Sequence, residues 1–230
     1  MSLLEVRALT TGYRGGAVLG GVDLDVGPYE IVAVVGPSGS GKSTLLGAIS
    51  GLVPVASGSV RLHGRDVAGL AAEDIMALGL VHVPERRRLF AGLTVRENLL
   101  LGGWRAGRRD IGRVLEMFPT LVGRLETPSG ALSGGEQQLC AIARGLMADP
   151  AIMLIDEFSL GLAPVMAHDI LVRLADIAAG GTSLVLVDQD AATALSVAER
   201  AYILESGFIV ASGPSGKLLA DHALLDRYLD

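Results

Sequence analysis

A chain of 230 residues has room for one large domain or two small ones. Its 19 Lys and Arg against 25 Asp and Glu leave a net charge of −6, which excludes a protein that coats nucleic acid through a strongly basic surface. Half of the residues are hydrophobic, which excludes disorder, and the single cysteine, Cys140, excludes an intrachain disulfide and points to a reducing compartment.

The first stretch, Leu4–Val26, alternates and is rich in turn residues, as an antiparallel sheet requires. Ile31–Val35 is a run of consecutive apolar residues, the pattern of a parallel strand covered on both faces. A helix is predicted over Ser43–Ser50, and Gly58–His63 returns to the alternating pattern. Leu80–Val83 resembles the first buried strand but carries His82. From about 86 to 149 no strand is evident and the chain reads as helices and loops, with a clear helical pattern over Glu136–Met147. This insert is basic: between Arg86 and Arg124 stand nine arginines against Glu97, Asp110 and Glu116, a local charge of +6. Strand Ile152–Ile155, helix Val165–Ala178, strand Leu184–Val187 and helix Ala191–Ala198 complete an α/β alternation. No apolar run approaches the roughly 20 residues of a membrane-spanning helix. Glu5 and Arg7 interrupt the first residues where a signal peptide is apolar. The expectation is a soluble cytoplasmic protein able to dock on a membrane protein.

Glycine stands at 31 residues, about 13% against the usual ~7%, so backbone is held in tight turns or close to a ligand. The sharpest case is Gly36-Pro37-Ser38-Gly39-Ser40-Gly41-Lys42-Ser43-Thr44, which fits G-x-x-x-x-G-K-[ST] directly between a strand and a helix. Its backbone N–H groups and the helix N-terminus suit phosphates. Lys42 is expected to reach the β- and γ-phosphates, and Ser43 to place its hydroxyl on Mg²⁺. Ile152–Glu157 is an apolar strand ending in two carboxylates. Such a strand delivers them to the ligand-binding edge of a parallel sheet. Asp156 would hold the metal through water and Glu157 would polarise the attacking water as general base.

Leu132–Gln138, LSGGEQQ, places Ser133 23 residues before Asp156. It reads as an N-cap serine, two glycines that admit an anion (Gly134 and Gly135), and a helix opening with Glu136. One chain cannot easily bring two such cradles onto one γ-phosphate, whereas two chains placed head to tail can. Together these elements resemble the nucleotide-binding subunit of an ABC transporter. Gly36–Thr44 matches its Walker A motif, Leu132–Gln138 its signature, Ile152–Glu157 its Walker B motif and Ser159–Ala163 its D-loop. The resemblance covers essentially the whole chain. It implies a P-loop NTPase core with an N-terminal antiparallel β subdomain and an inserted helical subdomain at about 86–149, forming one domain over 1–230. It further implies ATP and Mg²⁺ as cofactors, Tyr13 as the ring stacked on adenine, and a second ATPase subunit, sister or self. The remaining partners it implies are transmembrane permease subunits, met by the helical subdomain, and, indirectly, a periplasmic binding protein. Nucleic acid is not among them. The location implied is the cytoplasmic side of the inner membrane, as a peripheral protein.

Val83–Phe90, Leu93–Leu99, Glu116–Pro119, Ser159–Pro164, Val187–Asp190 and Ala198–Gly207 are similar to the ATP-binding subunits of branched-chain amino-acid importers. Urea and short-chain amide importers have closely related subunits, and a non-transport ABC ATPase is the more distant alternative. Four positions depart from the common ABC pattern. Glu85 stands where most members have glutamine; a carboxylate can hold a metal-bound water but cannot donate to phosphate. Gln189 stands at the switch histidine, leaving Glu157 as the base. Phe158 replaces a proline. Arg86 stands where a glycine is expected, which stiffens its loop. The four histidines His63, His82, His168 and His222 lack metal-ligand spacing. Cys140 reads as a small packed residue.

Overall fold

The computed structural model describes residues 2–13, 16–221 and 223–224. In chain order the elements are β1 (Leu4–Tyr13), β2 (Gly16–Val26), β3 (Ile31–Val35), α1 (Lys42–Ile49), β4 (Val55–Leu62), β5 (Arg65–Asp66), α2 (Ala72–Ala77) and β6 (Leu80–Val83). The insert contributes α3 (Val95–Gly103), α4 (Gly112–Met117), two 3₁₀ turns (Pro119–Arg124 and Ser129–Ala131) and α5 (Gly134–Leu146). Then come β7 (Ile152–Asp156), α6 (Pro164–Ala179), β8 (Ser183–Asp188), α7 (Ala191–Val197), β9 (Arg200–Glu205), β10 (Phe208–Pro214) and α8 (Ser215–Ala220).

Two sheets result. The four-stranded one, β2-β1-β4-β5, is antiparallel, and the six-stranded one runs β10-β9-β3-β8-β7-β6. In the latter β9, β3, β8, β7 and β6 are mutually parallel, with β10 folded back as an antiparallel hairpin. The four expected parallel strands fall in this sheet. Strands β9 and β10 extend it beyond that expectation, because their charged and glycine-rich sequence hides the apolar run Ala201–Leu204. The segment Gly58–His63 belongs to a longer strand that starts at Val55 and ends at Leu62, with His63 turned into the left-handed region at φ +52°.

The period-2 alternation of the parallel strands divides the core. Val32, Val34, Ile152, Leu154, Val185 and Val187 face α1 and the antiparallel sheet. Ile31, Ala33, Val35, Met153, Ile155, Leu184 and Leu186 face the other way. There they join Val95, Leu99, Phe118, Leu139 and Ile142 of the insert and Ile170 and Leu174 of α6. The insert contains no strand among its described residues, as its sequence predicts, and α3 packs on α5 within this second core. Consecutive apolar residues on these strands thus reflect two covered faces. No described helix is long and apolar enough to cross a membrane.

Candidate active site

Parallel pairing aligns the strand ends. Val83 lies beside Ile155, Asp156 beside Val187, and Val35 beside Asp188. One edge of the sheet therefore carries the loop after β3, Glu85 after β6, Asp156 and Glu157 at β7, and Asp188 and Gln189 at β8. This is the edge at which open α/β sheets bind ligands.

The loop Gly36–Gly41 wraps the start of α1. A Cβ on Gly36 would lie 2.0 Å from the Leu204 carbonyl oxygen, so only glycine fits against β9. Gly39 and Gly41 take φ of +78° and +109°, and α1 opens without any side-chain cap or acidic residue in its first turn. Its leading N–H groups are left for a ligand. The hairpin turn after β9 braces the loop: Gly207 N–H donates to the Ser40 carbonyl at 2.9 Å. Lys42 is buried, and its Nζ donates to the carbonyls of Gly36 at 2.6 Å and Pro37 at 2.9 Å. Burial lowers its pKa, opposed by the carboxylates of Glu157, Asp156 and Asp188.

Asp156 is buried and its Oδ1 has no hydrogen-bond partner among the described residues. Burial pushes its pKa up to about 6; the Ser43 hydroxyl pulls against this, Glu157 and Glu85 add to it, and Lys42 opposes it. No three His, Cys, Asp or Glu side chains cluster to hold a metal among the described residues. The donors present, the Ser43 hydroxyl, Asp156 and Glu85, fit an ion that takes its remaining oxygens from phosphates and water, as Mg²⁺ does.

Glu157 sits at φ +47°, its N–H donating to the Val187 carbonyl at 2.8 Å. Its Oε1 accepts from Gln189 Nε2 at 2.5 Å. Asp188, to which the sequence reading assigned no role, ties this end together. Its carboxylate accepts from the N–H groups of Ser159 at 3.0 Å, Gln189 at 2.8 Å and Asp190 at 3.0 Å. The signal was available: Asp188 ends an apolar run just as Asp156 does. Phe158 is fully buried in the core shared with the insert.

Tyr13 ends β1 and is 61% exposed. Glu85 is half-buried and accepts from Arg86 Nε at 3.3 Å. Ser133 caps α5: Glu136 N–H donates to Ser133 Oγ at 3.3 Å, and Ser133 N–H donates to Glu136 Oε2 at 2.8 Å. Arg124 Nε holds the same carboxylate at 2.9 Å. Gly134 is exposed at the first turn, whereas a Cβ on Gly135 would strike Met166 Cε at 2.4 Å.

The basic insert is largely compensated by acids on its borders. Arg86 pairs with Glu85, Arg96 with Glu126, Arg105 with Asp74, Arg108 and Arg113 with Asp149, and Arg124 with Glu136. Counting charge along the segment 86–124 leaves all of these partners out. Cys140 is buried in α5, and burial pushes its thiol up to about 11. His82 is half-buried, and desolvation holds it below its ordinary range at about 4, with Nδ1 3.0 Å from Ser50 Oγ. His222 lies outside the described residues.

The family model described as "ABC transporter" matches residues 19–159. The chain is 41% identical over 231 residues to the high-affinity branched-chain amino acid transport ATP-binding protein BraG of Pseudomonas aeruginosa, covering 99% of each chain. It is 35% identical to the probable branched-chain amino acid transport ATP-binding protein LivF of Archaeoglobus fulgidus, covering 94% of each. Among solved structures it is similar to the dimeric post-hydrolysis state of the ATP-binding cassette MJ0796 bound to ADP and Pi. That match has a TM-score of 0.83 at 27% identity and covers 92% of this chain and 98% of that one.

Proposed function

The chain belongs to the ABC transporter family as an ATP-binding, ATP-hydrolysing subunit, and from that premise we propose that it drives an importer of branched-chain or similar hydrophobic amino acids. The solute reading rests on the two relatives named for branched-chain amino acid transport and on their near-complete coverage of the chain. The site reading rests on one observation above all. Lys42, Asp156, Glu157 and Gln189 converge on one sheet edge, with the Gln189 amide 2.5 Å from the Glu157 carboxylate.

In this reading the nucleotide stacks on Tyr13 and its phosphates enter the N–H cradle of Gly36–Thr44. Lys42 leaves the Gly36 and Pro37 carbonyls for the β- and γ-phosphates. Ser43 and Asp156, with Glu85 through water, would hold Mg²⁺, which neutralises phosphate charge when bound. Glu157 takes the proton of the attacking water, and Gln189 orients that carboxylate and donates to the γ-phosphate. Ser133, Gly134, Gly135 and Glu136 serve the ATP of a second ATPase subunit placed head to tail. Closure of that pair on ATP, and opening after hydrolysis, moves permease subunits that meet the helical subdomain at about 86–149. The chain then works as one ABC ATPase domain over 1–230 at the cytoplasmic face of the membrane, supplied by a periplasmic binding protein.

Glu157→Gln tests the reading. A positioned general base contributes about 10²–10⁴-fold, so turnover should fall by that factor while ATP still binds. The closed, ATP-loaded pair should accumulate, visible as a mass increase with ATP and Mg²⁺, with the sister subunit added where the pair is mixed. Hydrolysis at the ordinary rate would remove Glu157 from the role of base.

A further inference from the structure

The segment between β6 and α3 holds three consecutive arginines in the left-handed region: Arg86 at φ +59°, Arg87 at +62° and Arg88 at +42°. Side chains with a Cβ avoid this conformation, and such strain persists only where surrounding contacts enforce it. The enforcing contacts come from α5. Arg144 Nη1 donates to the Arg88 carbonyl at 2.8 Å, and Arg144 Nη2 to the Arg87 carbonyl at 3.2 Å. Gln138, itself buried, accepts from Arg87 Nε at 3.1 Å. The result aims the Arg87 guanidinium at the opening of α5. A Cβ placed on Gly134 would lie 3.5 Å from its Nη2 and 3.7 Å from its Nη1.

The charge there is unbalanced. Among the described residues no carboxylate lies within ion-pair reach of Arg87, although its neighbour Arg86 pairs with Glu85. The acid in the first turn of α5, Glu136, is already engaged by Ser133 and Arg124. A half-buried cation beside the positive end of a helix is repelled unless an anion joins them. With Nε spent on Gln138, both Nη groups remain as a fork of the kind that grips phosphate oxygens.

We propose that Arg87 is a phosphate-binding residue of the closed pair, its guanidinium contacting the γ-phosphate of the ATP seated in the partner's cradle beside Gly134. The inference deepens the composite-site reading above and rests on it. Gln138 and Arg144 are then positioning residues that act through Arg87.

The test places Arg87→Gln and Arg87→Lys on the Glu157→Gln background and titrates ATP with Mg²⁺ while mass is followed. Sister subunit is included where the pair is mixed. Loss of a charge-assisted contact should raise the ATP concentration for half-closure roughly 10- to 100-fold for Arg87→Gln. Arg87→Lys, which keeps the charge but not the fork, should fall between. ADP binding to the unpaired chain should not change, since Arg87 serves the other subunit's nucleotide; a residue that only supported folding would weaken both. Closure of Arg87→Gln at the parent's ATP concentration overturns the inference. Should Arg87→Gln not fold, an unshifted Arg87→Lys overturns it equally. Absence of closure in the Glu157→Gln parent itself would instead take down the composite site, and the inference with it.

Discussion

Two helices of this chain open toward anion-suited glycines, and they open differently. Helix α1 starts with no side-chain cap and no acid in its first turn, and a buried lysine is folded onto the loop's own carbonyls. Helix α5 starts with a complete capping box, Ser133 with Glu136, and that glutamate is tied again to Arg124. The first terminus leaves its N–H groups and a positive charge uncommitted, so it is ready for phosphate in the isolated chain. The second has satisfied two of its donors internally and carries a carboxylate, which weakens it as an anion site by itself. In the proposed head-to-tail pair this difference orders events: nucleotide binds at α1 first, and α5 engages phosphate only when a second subunit and Arg87 add to it.

Lys42→Ala is the largest blow to this contrast. The substitution removes charge-assisted bonds to two phosphates, together worth about 3 kcal/mol or more, so ATP affinity of the unpaired chain should fall by roughly 100-fold or more. Calorimetry on the isolated chain measures it directly. An unchanged affinity would mean that α1 is not the primary phosphate site, and the asymmetry between the two termini would lose its functional meaning.

Asp156 sharpens the comparison from the other side, since α5 has no buried carboxylate poised like it. Burial raises its pKa from 3.8 to about 6 in the folded chain. The folded state therefore holds this proton more tightly than the unfolded state does. The contribution to stability is fully present below about pH 4 and is lost as pH rises through 6. A shift of this size corresponds to up to about 3 kcal/mol. Denaturant midpoints between pH 4 and 7 should show that loss, and Asp156→Asn should flatten it. Binding of Mg²⁺ and ATP, which favours the carboxylate, should release a proton near pH 6. An Asp156→Asn variant with the parent's pH profile would move the titration elsewhere.

Local patterns made most of this legible. The strand–glycine loop–helix at 31–49, the apolar run ending in Asp156 and Glu157, and the serine–glycine start of α5 are each written in a short stretch, and each folds where its residues point. What escaped the reading is what depends on distant segments. Asp188 became legible as a brace only when Ser159 and Gln189 came within hydrogen-bond reach of it. Arg87 looks like one of several loop arginines until Gln138 and Arg144, more than fifty residues on, fix its backbone and aim it. The +6 of the insert counts charge along the chain alone. In space Asp74, Glu126, Glu136 and Asp149 border it and pair with it, which leaves Arg87, Arg88 and Arg109 without carboxylates among the described residues.

The smallest effect separates the two termini most cleanly. Ser133→Ala removes the hydroxyl that accepts the Glu136 N–H, while the Ser133 backbone N–H still donates to the Glu136 carboxylate. Loss of such a cap costs about 1 kcal/mol. The denaturation midpoint of the unpaired chain should drop accordingly, because α5 runs through the core that joins the insert to the sheet. Its ATP affinity should stay at the parent's value, because in the proposed head-to-tail pair the capped serine serves the other subunit's nucleotide. No comparable cap exists at α1, so no substitution there can lower stability by this route without touching the nucleotide. A Ser133→Ala chain that loses ATP affinity before pairing would show that the two termini act on one nucleotide within one chain, and the head-to-tail arrangement would have to be abandoned.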